Sequence, residues 1–142
     1  MDELYNKCLE IAKKAHEGQT RKFGDNRPFI VHPLAVADKF TDERMKCIAI
    51  LHDVIEDSDI DAEKLIQMGV PKDIVHVVEI LSKRPDETYF EYIDRVTENK
   101  EAMQVKIADI RHNMESAPEK MIKKRYIPAL ERIASKYSDI GE

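Results

Sequence analysis

The chain has 142 residues, 36% of them charged, with four Gly, six Pro, no Trp and a formal net charge of −5. That length suits one domain, residues 1–142, whose core closes without disulfides or a partner. Sparse turn formers disfavour a turn-rich sheet protein, the acidic balance argues against a general nucleic-acid surface, and the longest apolar run, Cys47 to Leu51, is far short of a bilayer span.

The N-terminus, Met1, Asp2, Glu3, Leu4, has neither the basic start nor the apolar stretch of a signal peptide, so a cytoplasmic protein is expected. Leu4, Cys8, Ile11, Ala12 and Ala15 recur at helical spacing ahead of Gly18, which predicts an amphipathic helix over 2–17. Residues 18–32 include Gln19, Thr20, Arg21, Lys22, Gly24, Asp25, Asn26, Arg27 and Pro28, and read as a loop with a basic edge. Pro33 suits the first residue of a short helix to about Phe40, placing His32 at its entrance. Thr41 or Asp42 caps a third helix expected to run unbroken to Glu56.

Asp61 caps a short helix ending near Gly69, and Pro71 starts another whose apolar face is Ile74, Val77, Val78 and Leu81. Thr88 and Glu91 have capping-box spacing, a further helix covers Glu101 to about Glu115, and a last one starts near Pro118 and should bend or split at Pro128. The expected class is therefore all-α, a compact multi-helix domain without internal repeats or linkers. Cys8 and Cys47 fall inside apolar patterns and read as small core residues in a reducing compartment. No helix selects itself as a dimer face, so the oligomeric state stays open.

The segment that carries chemistry is residues 48–57, with His52, Asp53, Glu56 and Asp57. At about 100° per residue these four fall within an arc of about 140°. Charge clusters on helices are usually solvated faces. Here Ala49 and Ile50 border the polar arc, so the helix is expected to be buried nearly all round and the His52, Asp53 pair desolvated. A buried carboxylate costs several kcal/mol unless it is paired or bound to a metal. Asp109, Asn113 and Ser116 share a face at i, i+4, i+7.

Four ordered blocks carry a family resemblance: Ala15 to Lys22, then Val31, His32, Pro33, then His52, Asp53 with Glu56, Asp57, then Lys106 to Asp109 with His112, Asn113, Met114. Together they resemble the HD-type hydrolase domain of the RelA/SpoT family of guanosine tetraphosphate enzymes, including its stand-alone small hydrolases, because no synthetase or regulatory domain follows. The resemblance implies a divalent metal, usually manganese with iron or zinc as alternatives, held by His32, His52, Asp53 and Asp109. It also implies a catalytic acidic pair in Glu56 and Asp57, guanine-stacking cations in Arg21 and Lys22, and contacts to sugar and phosphates from Asn113 and Ser116. The implied reaction is metal-assisted hydrolysis that takes pyrophosphate from the ribose 3′ position and leaves GDP, with Glu56 or Asp57 accepting a proton. The partner is then a small phosphorylated guanine nucleotide, with no nucleic acid and no membrane.

Departures from the family lie beside this site. The family commonly reads Ala-Asp-Arg-Leu-His-Asn where this chain has Ala108, Asp109, Ile110, Arg111, His112, Asn113, and Glu115 stands where a basic residue is frequent. Two alternatives therefore stand: an HD hydrolase of another nucleotide phosphate, and a non-catalytic nucleotide sensor. His16 reads as a cap or packing residue, His76 as a surface residue and His112 as structural, while the helical spacing of Tyr89, Phe90 and Tyr92 suggests core packing or an interface.

Overall fold

The structure is a computed structural model that describes residues 2–23 and 26–141, with side chains described as far as Tyr137. Met1, and Gly24 and Asp25 of the basic loop, lie outside the described residues. The elements are α1 (Glu3–Ala15), α2 (Val31–Ala37), α3 (Glu43–Leu51), α4 (Val54–Asp57), α5 (Ala62–Gln67), α6 (Lys72–Ile80), α7 (Tyr89–Val96), α8 (Lys100–Met114), α9 (Glu119–Met121), a π-helical turn (Ile122–Tyr126) and α10 (Ile127–Gly141). Extended pairing among the described residues is limited to one antiparallel bridge between Thr20 and Pro28, so the fold is all-α.

α3 is the hub. Met45, Cys47, Ile48, Ala49, Ile50 and Leu51 are all buried, which bears out a helix covered nearly all round. It packs against α1, α2, α6 and α8, so four neighbouring helices take their positions from it. Truncating Ile48 or Leu51 to Ala would cost about 2–5 kcal/mol by the cavity left behind.

Local chemistry sets most boundaries as read. Asp42, Asp61 and Asn99 accept backbone hydrogen bonds from Met45, Lys64 and Ala102 at the starts of α3, α5 and α8. Thr88 and Glu91 form the full capping box of α7. Gly18 and Gly69 follow helix ends at φ +81° and +101°, the left-handed region that stops a helix at low cost.

Three boundaries differ from the sequence reading. α2 begins two residues before Pro33, so His32 lies inside its first turn rather than ahead of it. The third helix does not run to Glu56: α3 stops at Leu51 and α4 starts at Val54. The cause is local. The Ala49 carbonyl accepts from the His52 backbone N–H at 3.3 Å and from His52 Nδ1 at 2.6 Å, so the side chain takes an acceptor that the next helical N–H would otherwise use. Lastly, the expected disturbance at Pro128 appears ahead of it as the π-helical turn. Proline has no N–H and crowds the carbonyl four residues back, and a widened turn accommodates both.

Candidate active site

The break between α3 and α4 turns His52 and Asp53 toward α2 and α8. His32 from α2, His52 and Asp53 from the break, and Asp109 from α8 each bring one ligand atom to a cluster whose atoms all lie within 4.8 Å of one another. His32, His52 and Asp109 are 2–4% exposed, and the Asp53 side chain, at 20%, is the most open of the four.

The ring nitrogens show what this cluster is built to hold. A carbonyl only accepts, so His52 Nδ1 donates to Ala49 and leaves Nε2 pointing inward. That Nε2 lies 3.1 Å from Asp53 Oδ2 and 3.4 Å from Asp109 Oδ1, yet has no aligned hydrogen-bond partner. His32 Nε2 lies 2.7 Å from Asp109 Oδ1 and 3.7 Å from Asp53 Oδ2. Two imidazole nitrogens facing two carboxylates, one of them a buried orphan, fit a divalent cation in donor type and in charge.

Burial opposes charge on His52, but the Asp53 and Asp109 carboxylates overcome it and raise its pKa well above the ordinary value. Burial likewise opposes ionisation of Asp109, and Lys106, His32 and His52 outweigh it and hold that carboxyl well below the usual range. A cation at the centre would therefore meet Asp109 already in its anionic form and would take the place of the proton that the two carboxylates draw onto His52.

Around the cluster runs a connected polar chain. Lys106 Nζ lies 2.8 Å from Asp109 Oδ2 and over the Tyr92 ring at 4.9 Å. Asn113 Nδ2 donates to Asp109 Oδ1 at 3.2 Å, and Arg21 donates to Asn113 Oδ1 at 3.2 Å and to Ser116 Oγ at 3.3 Å. Arg21 is buried although it sits on a loop, because the bridge at Thr20 and the Arg21 N–H to Arg27 carbonyl bond (2.9 Å) fold that loop back onto α8.

Beside the cluster opens a cavity of about 310 Å³. Its walls include Arg21, Lys22, Asn113, Glu56 and Asp57, while Ser116 is reached through Arg21. Five cationic side chains, Arg21, Lys22, Lys83, Lys106 and Arg125, share it with four carboxylates. Glu56 and Asp57 stand on the single turn of α4 at the mouth. The Lys83 backbone N–H donates to Glu56 Oε1 at 2.9 Å, fixing that carboxylate from the α6–α7 connection. Desolvation, with Asp53 and Glu56 close by, pushes Asp57 up to about 6.

Four residues have larger parts than the sequence suggested. His112 brings Nδ1 to 2.8 Å from His32 Nδ1 with the rings stacked at 5.0 Å, so it contacts a member of the cluster rather than serving only the core. Lys106 was visible only as part of a matched block, although Lys106, Asp109 and His112 at i, i+3, i+6 lie on one face of α8 and that spacing was the available signal. Tyr89 and Tyr92 line the cavity, and Tyr92 also donates to the Leu81 carbonyl at 2.5 Å. Phe90 packs against the core without reaching the cavity, and His76 is exposed.

No protein-family model matches the chain. Curated relatives do. The bifunctional (p)ppGpp synthase/hydrolase SpoT of Escherichia coli K12 is 33% identical over 119 residues, which cover 73% of this chain and 16% of that protein. A guanosine-3′,5′-bis(diphosphate) 3′-pyrophosphohydrolase of Vibrio cholerae is 43% identical over 67 residues, covering 44% of this chain and 9% of the relative. A solved structure described as a metazoan ortholog of SpoT that hydrolyzes ppGpp superposes with a TM-score of 0.72 at 23% identity, over 94% of this chain and 83% of that one.

In sequence and in fold this chain resembles an HD-type hydrolase domain of the RelA/SpoT kind. It spans less than a fifth of the length of the curated relatives it matches. The metazoan structure, at its low identity, speaks for the shared fold. Among the described residues, no helix is long and apolar enough to cross a membrane.

Proposed function

We propose that this domain is a manganese-dependent guanosine 3′,5′-bis(diphosphate) 3′-pyrophosphohydrolase, converting the tetraphosphate to GDP and pyrophosphate in the cytoplasm. The observation that carries the reading is the His32, His52, Asp53, Asp109 cluster opening directly into a cavity rich in cations. Relatives named for this reaction support the choice of substrate. A substrate with two diphosphate groups needs compensating charge, and five cationic side chains supply it.

A divalent ion held by the four ligands would act as a Lewis acid and lower the pKa of water at the site. The chain's own residues do the rest. Arg21 and Lys22 hold the guanine and its phosphates at the cavity edge, with Arg21 braced by Asn113 and Ser116. Asp57, pushed up to about 6, is largely ionised at neutral pH yet basic enough to accept a proton from the attacking water. Glu56, fixed by the Lys83 N–H, holds the water in line. Tyr89, Tyr92 and Phe29 wall the site and reduce access of bulk solvent.

A nucleotide panel tests the reading. The manganese-loaded protein should cleave guanosine tetraphosphate in preference to nucleoside monophosphates and phosphorylated dinucleotides, and lose activity with chelator or in Asp57→Asn. Preference for another member of the panel would keep the hydrolase and reject the substrate. Binding without turnover of any nucleotide would make the domain a sensor.

A further inference from the structure

Gln19 connects two parts of the site. Its Nε2 donates to the Asp57 carbonyl at 2.8 Å, across 38 residues of sequence, and to the Ala15 carbonyl at 3.3 Å. Both partners only accept, so the amide has a single orientation, with Oε1 facing His16 Nδ1 at 2.9 Å. His16 Nδ1 must therefore carry the proton. The ring is 3% exposed, packs against Phe29 at 4.7 Å between centroids, and has its Nε2 buried without a hydrogen-bond partner, so among the described residues the ring's hydrogen bonding goes to Gln19.

The need for such a tie is visible in α4. Four residues make one turn, with Asp57 N–H bonded to the Asp53 carbonyl at 2.9 Å and the Val54 carbonyl taken by Ser58 Oγ at 2.7 Å. A single turn has almost no intrinsic stability and takes its position from outside contacts. The main chain of Gln19 meanwhile bonds to His16 and Phe29, at 3.0 and 2.8 Å, and so fixes the root of the loop that carries Arg21 and Lys22.

We propose that Gln19, oriented by His16, is a positioning residue that ties the Asp57 end of α4 to the root of the basic loop. The proton acceptor and the nucleotide-holding cations thereby keep one fixed spacing. This rests on the hydrolase reading above for its catalytic consequence, and on the hydrogen bonds alone for the tie itself.

Two measurements test it. In the first, Gln19→Ala and Gln19→Glu, the latter of equal size but presenting no donor to the Asp57 carbonyl, are assayed for pyrophosphate release alone and combined with Asp57→Asn. Each single variant is expected to lose about 10–100-fold in kcat with little change in KM, and the loss should shrink to under about threefold in the Asp57→Asn background. Equal losses in both backgrounds, or a Gln19→Glu variant with full kcat, would overturn the proposal.

The second is NMR on the metal-free protein, independent of any activity. A neutral His16 protonated on Nδ1, and an Asp57 carbonyl resonance that shifts in Gln19→Ala, are expected. His16 protonated on Nε2, or an Asp57 carbonyl indifferent to the substitution, overturns the tie. An unmodified protein that releases no pyrophosphate would bring down the hydrolase reading alone, since the NMR result still decides for or against the tie.

Discussion

The imidazoles of His32 and His112 meet at their Nδ1 atoms, 2.8 Å apart, with the rings stacked. One of the two must donate. For His32 to offer Nε2 as a lone pair beside Asp109, its proton must sit on Nδ1, which makes His112 the acceptor. With an ion bound, His112 would thus hold His32 in the tautomer that suits a metal. Replacing it with Phe keeps a ring in the stack and removes the acceptor. His112→Phe is expected to bind manganese about 10–100-fold more weakly in calorimetric titrations, while folding normally. Unchanged affinity would mean the stacking alone matters.

Lys106 faces Asp109 from the opposite side. Without a metal, its ammonium compensates a carboxylate that burial would otherwise penalise. Lys106→Met should therefore destabilise the metal-free protein by about 3–5 kcal/mol, since breaking a buried pair leaves a charge unpaired. Saturating manganese should restore part of the loss by taking over that carboxylate. Urea unfolding with and without metal measures both, and an equal loss under both conditions would show that Lys106 acts only through packing.

Arg21 donates hydrogen bonds to Asn113 and Ser116, one step removed from the four clustered residues. Its removal should weaken substrate binding more than chemistry. Arg21→Ala is expected to raise KM for guanosine tetraphosphate about tenfold, with a smaller change in kcat. Steady-state kinetics would contradict this if kcat fell while KM held.

Away from the site, Glu87 braces the connection that carries Lys83. Both of its oxygens accept from Arg95, at 2.7 and 3.1 Å, and Oε1 also accepts the Arg84 N–H at 2.8 Å. The Arg95 guanidinium holds the Glu87 carboxyl down to about 2. A depressed carboxyl stabilises the fold fully above its ordinary value near 4.5 and progressively less as pH falls toward 2. Glu87→Gln should cost roughly 1–3 kcal/mol at pH 7, with the gap from the unmodified protein closing between about pH 4.5 and 2. Thermal unfolding across that range gives the answer; a gap that widened on acidification would contradict the assignment.

Much of this architecture was legible in the chain itself. Helical spacing, capping residues and glycine stops locate most helices because they act within a few residues of one another. The four clustered positions, His32, His52, Asp53 and Asp109, were legible because their types and order match a known pattern. The break at His52 was not, since the side-chain bond to Ala49 that causes it competes with a helical bond of similar strength. The partners of Gln19, Lys83 and His112 were equally hidden, because each acts across 27 to 80 residues of sequence. Spacing rules carry no information at that range.

The most direct test of the account is product analysis after incubating the manganese-loaded protein with guanosine tetraphosphate, beside its Asp53→Ala variant. GDP and pyrophosphate from the unmodified protein, and neither from the variant, are the predicted result. Release of orthophosphate instead, or equal turnover by the variant, would contradict the proposed site and its chemistry.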